Sequence, residues 1–292
     1  MITPLVLLES TRPKTLIASL SPILLGSLFA LSEGRVSFGL LLMTLISGVT
    51  LQILVNLLND YIDFSKGTDN EMRIGPRRMM QSGLVTKTEM YILIGAFFLL
   101  FALSTWVLVM RGSWVIFGMA SLGLVLAFMY TATPYAISYV GLGELVVFIS
   151  FGPLATLLTH YIQTLNWDMR ACVIGIIPGS LSAILLLVNN LRDEVTDALA
   201  NKKTVVVRFG SSFAKKLLLS LYIAAFLAPL GIWALDSQRF PILITSLYLI
   251  FQSPVILRLL KATLPTDYLP LLSRFASLML FTTAVTIYGT LL

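Results

Sequence analysis

The sequence is poor in the side chains from which soluble catalytic and metal centres are most often built. It has one cysteine, Cys172, and one histidine, His160. A single cysteine excludes an internal disulfide, and no Cys/His cluster with zinc-ligand spacing exists. A divalent metal bound here needs oxygen ligands. Charge is scarce as well: 12% of the residues are Asp, Glu, Lys or Arg, against about 25% in soluble domains. Water is therefore not the main solvent. The formal net charge of +6 would suggest nucleic acid in a soluble chain, but in an apolar one membrane topology explains where Lys and Arg lie. No nucleic-acid partner is expected.

Apolar length is abundant. The chain is 57% hydrophobic with a mean hydropathy of +0.91, and runs of about 20 apolar residues suffice to cross a hydrocarbon core of roughly 30 Å. We read nine spans, at 15–32, 38–58, 90–110, 114–131, 142–161, 171–191, 217–235, 241–260 and 271–291. They imply an all-α integral membrane bundle in the lipid bilayer, a single polytopic domain over 1–292. The first span follows Arg12-Pro13-Lys14-Thr15 and holds Pro22 and Gly26 without a small-residue cleavage site, so it is read as retained and not as a signal peptide. Nine spans place the termini on opposite sides. With the N-terminus inside, only Arg35, Arg111, Arg170 and Arg239 of the 20 Lys and Arg fall outside. The positive-inside rule then assigns the N-terminus and both long polar segments, 59–89 and 192–216, to the cytoplasm.

Those two segments carry related motifs. Asn56-x3-Asp60 and Asn189-x3-Asp193 each end an apolar run, and each is followed by a further aspartate, Asp63 or Asp197, and then by basic residues. This is a weak internal repeat. Asn56, Asn59, Asp60 and Asp63 fall at i, i+3, i+4 and i+7, so a helix presents them on one face. Asn189, Asp193 and Asp197 repeat every four residues, and the same one-helix face is expected for them, with Asn190 beside it. A carboxylate at the centre of a span costs about 2.5–3.5 kcal/mol on insertion scales, so four at the ends of two spans need partners. Asp and Asn also terminate helices at interfaces without further purpose. Here, however, they sit at C-terminal ends, where the helix dipole disfavours anions, and a bound cation removes that conflict. Two oxygen-only clusters suit Mg bridging carboxylates to a diphosphate. Lys66, Arg73, Arg77, Arg78, Arg192, Lys202 and Lys203 lie close by in sequence, either as topology markers or as diphosphate ligands, Arg73 and Lys202 foremost.

At these motifs the chain resembles the UbiA superfamily of intramembrane prenyltransferases, most closely the branch that prenylates 1,4-dihydroxy-2-naphthoate in menaquinone synthesis. The resemblance is carried by RPKT at 12–15, NLLNDYIDFSKGTD at 56–69, RIGPRRMMQSG at 73–83, YTATPYAISYVGLGE at 130–144, FGP at 151–153 and NNLRDEVTDALANKKT at 189–204. It implies a helical bundle around a central cavity, a lateral opening for an isoprenoid tail, and two Mg ions holding a polyprenyl diphosphate. It also implies a multi-pass place in a bacterial-type cytoplasmic (inner) membrane. Asp60, Asp63, Asp193 and Asp197 are the expected catalytic acids, and the same four with Asn59 the metal ligands. Lys66, Arg73, Arg192, Lys202 and Lys203 are expected on the diphosphate. Arg12, Asn56, Arg77, Arg78, Tyr130, Tyr139, Glu144, Asn189 and Asn190 are expected around an aromatic acid acceptor. Two departures stand out: the family's last aspartate of the first motif falls on Gly67, with Asp69 two residues on, and a glycine usual before the basic pair is Asn201.

The implied reaction ionises an allylic diphosphate and lets the aromatic ring attack the allylic carbon. Tyr61, Tyr130, Tyr135 and Tyr139 can shield the cation with their ring faces, or serve only as interfacial belt residues. Glu144 either orients the acceptor, pairs with an arginine or marks a helix end, and His160 is expected at the opposite interface. Prenylation of 4-hydroxybenzoate or homogentisate is the alternative chemistry, and secondary transport, whose ionisable groups would cluster at the midplane, the alternative outside enzymes.

Overall fold

The computed structural model describes residues 3–66, 78–131 and 136–292. Among them there is no strand. Eleven α-helices follow one another: α1 Pro4–Thr11, α2 Pro13–Ser32, α3 Phe38–Lys66, α4 Lys87–Thr131, α5 Gly143–Ile149, α6 Ala155–Thr164, α7 Met169–Arg192, α8 Glu194–Leu199, α9 Val205–Leu235, α10 Leu243–Lys261 and α11 Pro265–Leu291. Eight helical segments are long and apolar enough to cross a membrane, and Trp114–Tyr130 is a shorter apolar one.

The expected pair of spans at 90–110 and 114–131 forms one element, α4. A straight helix of its 45 residues would measure about 68 Å, twice a hydrocarbon core. Instead, Met90 near its start joins a cluster with Leu57 and Met79, Leu108 and Ile116 join Ile162, and Tyr130 near its end lines the same cavity as Asp63. The element thus folds back near Gly112 and serves as two crossings. α9 begins at Val205, well before the expected 217: Thr204 Oγ1 accepts the Val207 N–H and starts a short first piece, and after a kink at Gly210, with φ 81°, the helix resumes ahead of the apolar run. Lys215 and Lys216 therefore lie on a helix, not in a loop.

The centre of the bundle is α7. Of its most apolar window 78% is buried, against 28–56% for the other spans, whose outer faces present Trp114, Phe251 and Met110 as lipid-facing surface. Ile177, Leu181, Ile184, Leu187, Val188 and Leu191 of α7 form the main core with residues of α9, α10 and α11. On its other side α7 meets the span built from α5 and α6, which is broken by a wide π-type turn at Ser150–Leu154 containing Pro153. There the backbones touch: a Cβ on Gly175 would lie 2.6 Å from Pro153 Cα, and one on Gly179 would run into the Phe148 carbonyl. Small residues permit this approach, as in other membrane helix pairs. It fixes the distance between α5, which carries Glu144, and α7, which carries Asn189 and Asn190.

Candidate active site

α3 is helical from Asn56 through Lys66, so Asn59 and Asp63 share one face as the spacing requires. The second motif differs from the one-helix expectation. α7 ends at Arg192, and Asp193, with φ −96° and ψ 11°, is the joint at which α8 begins. The turn keeps the Asp197 N–H on the Asp193 carbonyl at 2.8 Å, so both acids still face one space. α8 closes at Asn201, whose φ of 56° is left-handed. Asparagine tolerates that conformation better than most residues, so the turn that a glycine would make is kept. The Lys202 N–H then returns to the Asp197 carbonyl at 2.9 Å.

These elements enclose a polar cavity of about 270 Å³ lined by Asn59 and Asp63 from α3, Asn189, Asn190 and Arg192 from α7, Asp193, Asp197 from α8, and Lys202. Arg12, Arg78, Tyr130 and Glu144 complete it. It adjoins an apolar cavity of about 370 Å³ between α2, α3, α4, α5, α6 and α7. Thr15, Asn59, Tyr130, Leu186 and Asn189 line both. The cations are placed against the acids. Arg78 Nη2 donates to Asp63 Oδ2 at 2.7 Å, with Lys202 Nζ 4.0 Å from the same oxygen. Arg192 grips Asp193 with Nε and Nη2 at 2.7 and 2.6 Å, a bidentate charge-assisted pair. Lys202 also lies 5.2 Å from the centre of the Tyr139 ring.

Other expected site residues are placed elsewhere. Asp60 does not line the cavity; it is buried, and its Oδ2 accepts the Met79 N–H at 3.0 Å, tying the end of α3 to the segment that carries Arg78. Asn56 is absent from the polar cavity but lines the adjoining apolar one, and it donates to the Thr11 carbonyl and Thr15 Oγ1 at 3.0 and 3.1 Å. It thereby clamps the break between α1 and α2, where Arg12 takes a left-handed φ of 52°. Lys203 is exposed, its backbone N–H on the Tyr139 carbonyl, and Tyr139 sits behind Lys202 without lining the cavity. Tyr61 pairs with Tyr91, hydroxyl to hydroxyl at 2.6 Å, away from the cavity. Lys66 ends α3, and nothing is described of its side chain. Arg73, Arg77, Asp69 and Tyr135 lie outside the described residues.

Sequence reasoning passed over Thr15, Ser138, Thr196 and Thr204, which line the polar cavity. It also passed over an ion-pair network at the opposite face. There Arg170 bridges Asp168 at 2.7 Å, Glu33 at 3.0 Å and Asp236 at 3.0 Å. Arg239 reaches Asp236 at 3.2 Å, and buried His160 meets Glu33 at 3.2 Å. Burial works against the Asp168 charge, but its hydrogen bonds from Arg170 outweigh that and hold its carboxyl below the usual aspartate range. Glu33, His160 and Asp168 come close enough together to share a cation, yet Arg170 already occupies the carboxylates, so the group is a structural clamp. The only sequence signal for it was the four isolated arginines of one membrane side.

The description "UbiA prenyltransferase family" matches residues 19–279. A 1,4-dihydroxy-2-naphthoate octaprenyltransferase of Escherichia coli is 35% identical over 217 residues, 72% of this chain and 70% of that one. The protein of the same name in Mycobacterium tuberculosis is 34% identical over 209 residues, covering 72% and 71%. Among solved structures, a UbiA homologue from Archaeoglobus fulgidus bound to GPP and Mg2+ aligns over 96% of this chain and 98% of its own, with a TM-score of 0.67 at 16% identity. An apo UbiA homologue from Aeropyrum pernix gives 0.69 over 94% and 96%, also at 16% identity. At that identity the likeness is one of fold.

Proposed function

This chain belongs to the UbiA prenyltransferase family, and from that membership we propose that it transfers a polyprenyl group from an allylic diphosphate to 1,4-dihydroxy-2-naphthoate. Carbon dioxide and diphosphate leave, and demethylmenaquinol forms. The observation that carries the reading is the junction of two cavities: a polar one in which both aspartate motifs meet Arg192 and Lys202, opening onto an apolar one. One suits a diphosphate and the other the start of its isoprenoid tail. Grouping of these charges at one end of the bundle favours this chemistry over transport through the midplane.

The donor set fits a hard cation. Asn59, Asp63, Asp193 and Asp197 offer only oxygens, and no histidine or cysteine lines the cavity among the described residues. These four would hold Mg2+, in two ions. When bound, Mg2+ offsets the negative charge that builds on the departing diphosphate. Arg192 and Lys202 add fixed positive charge beside it, with Arg73 and Lys66 as further ligands. Arg78 holds the Asp63 carboxylate in place. Tyr130 stands where the cavities join and offers its ring to the allylic cation. Arg12, Asn189 and Asn190 border the space for the aromatic acid. The aspartate face lies on the cytoplasmic side of a bacterial cytoplasmic membrane, on the charge asymmetry of the segments.

The test gives purified protein, Mg2+ and a long-chain prenyl diphosphate one acceptor at a time, with the acceptor carboxyl carbon labelled. Naphthoate should yield prenylated product with one labelled carbon dioxide per turnover. Product from 4-hydroxybenzoate alone, with its carboxyl kept, would refute the assignment.

A further inference from the structure

We propose that Glu144 is the proton acceptor of this transfer, taking the proton of the acceptor hydroxyl next to the carboxyl-bearing carbon as the new bond forms and returning it after carbon dioxide leaves. The proposal rests on the naphthoate reading above and adds to it the one chemical role which the aspartates do not fill.

Glu144 is 5% exposed and lines the polar cavity from the first turn of α5. Its environment differs from that of its acidic neighbours. Asp63 is bonded to Arg78, and Asp193 is gripped by Arg192. Glu144 has no cationic partner among the described residues. Its Oε1 accepts a hydrogen bond from the neutral Asn190 Nδ2 at 2.8 Å, and its only other donor among them is neutral as well, its own backbone N–H. A carboxylate paired with a cation is a weak base; one held by a neutral amide keeps its basicity and is still oriented. Its position serves the acceptor rather than the diphosphate. Val146 and Val147, the next residues but one and two, line the apolar cavity. The Tyr130 hydroxyl lies 3.4 Å from the place a Cβ on neighbouring Gly143 would take. Glu144 thus sits on the rim where an aromatic ring meets the head of the prenyl chain.

The electron count calls for such a group. As the ring carbon bearing the carboxyl bonds to the allylic carbon and the carbon–oxygen bond to diphosphate breaks, the adjacent hydroxyl becomes a ketone and must lose its proton. The resulting β-keto carboxylate expels carbon dioxide. The electron pair of the broken carbon–carbon bond flows into the ketone, and the oxyanion so formed takes the proton back. Glu144 is protonated between the two steps and unchanged at the end, with no further reactant required.

Four measurements test this. Wild-type protein must first give naphthoate product with stoichiometric carbon dioxide; failure there overturns the functional reading whatever Glu144 does. Given that, Glu144→Gln should lower kcat about 100-fold or more, with the prenyl diphosphate KM within about threefold of wild type, and added formate should restore part of the turnover of Glu144→Ala in a concentration-dependent way. A kcat for Glu144→Gln within threefold of wild type, or a loss confined to the acceptor KM, overturns the proposal. Should either variant fail to insert, wild-type protein decides: an acceptor methylated on the hydroxyl beside its carboxyl should bind competitively and not be prenylated, and its prenylation within threefold of the parent rate overturns the assignment.

Discussion

Gly179→Ala should both loosen the bundle and slow catalysis, although the residue touches neither cavity. An added Cβ would lie 2.9 Å from Gly152 Cα and run into the Phe148 carbonyl, both backbone atoms of the neighbouring span. Carbon atoms in contact prefer about 3.5–4.0 Å, so the two helices must part by roughly 0.6–1.1 Å. Overpacking of this kind costs about 1–3 kcal/mol. Phe148 is one helical turn beyond Glu144, so the displacement reaches the Asn190–Glu144 hydrogen bond, now 2.8 Å long. Lengthened by the same amount it reaches roughly 3.4–3.9 Å, at or beyond the limit of a hydrogen bond. The assay is thermal unfolding in detergent alongside kcat in lipid nanodiscs. Gly95→Ala is the internal control, because nothing lies within 4 Å of a Cβ there and alanine is the better helix former by about 0.5–1 kcal/mol. Gly179→Ala should melt below both wild type and Gly95→Ala and turn over more slowly. If it melts with Gly95→Ala and keeps full kcat, the close backbone crossing does not set the spacing of α5 and α7.

Asp63→Asn and Asp193→Asn should each lower turnover by roughly 100–1000-fold, about 2.7–4 kcal/mol of transition-state stabilisation, while the protein still inserts; near-normal product formation in either, or full activity in excess chelator, contradicts the two-cluster site. Arg170→Met leaves Glu33, Asp168 and Asp236 without the cation all three share and should cost about 1–2 kcal/mol of stability, between the values for an exposed and a buried pair because the group is partly exposed. The folded Asp168 carboxyl titrates below its unfolded value. Its contribution is thus fully present above about pH 4 and is lost as pH falls through the lower folded value; in Arg170→Met the melting temperature should lose that acid dependence, and an unchanged acid limb counts against the clamp. Reporter fusions should find the N-terminus in the cytoplasm and the C-terminus outside, and both on one side would refute nine crossings.

Hydropathy and local spacing made most of the architecture legible. Length of apolar runs marked the spans, because each needs only its own residues to cross the bilayer, and the i, i+3, i+4, i+7 pattern put Asn59 and Asp63 on one face because α3 stays helical past Asp63 to Lys66. The same spacing misled at Asp60, on the same stripe yet turned to Met79, and in the second motif, where Asp193 is a joint and not the middle of a helix. Spacing fixes an angle about a helix axis; it cannot say which neighbour will claim a side chain.

What the sequence by itself determined, then, is the solvent, the helices and a donor set made of oxygen. Tertiary structure alone decided which groups meet. Asn190 reaches Glu144 across 46 residues, Arg170 reaches Glu33 across 137, and α4 brings Tyr130 back to the aspartate face by folding on itself. The reason is physical: hydropathy and helix periodicity are local sums over neighbouring residues. The pairing of a carboxylate with an amide or a guanidinium depends instead on how closely two helices can approach, and here glycines at 152, 175 and 179 permit the approach by having no side chain.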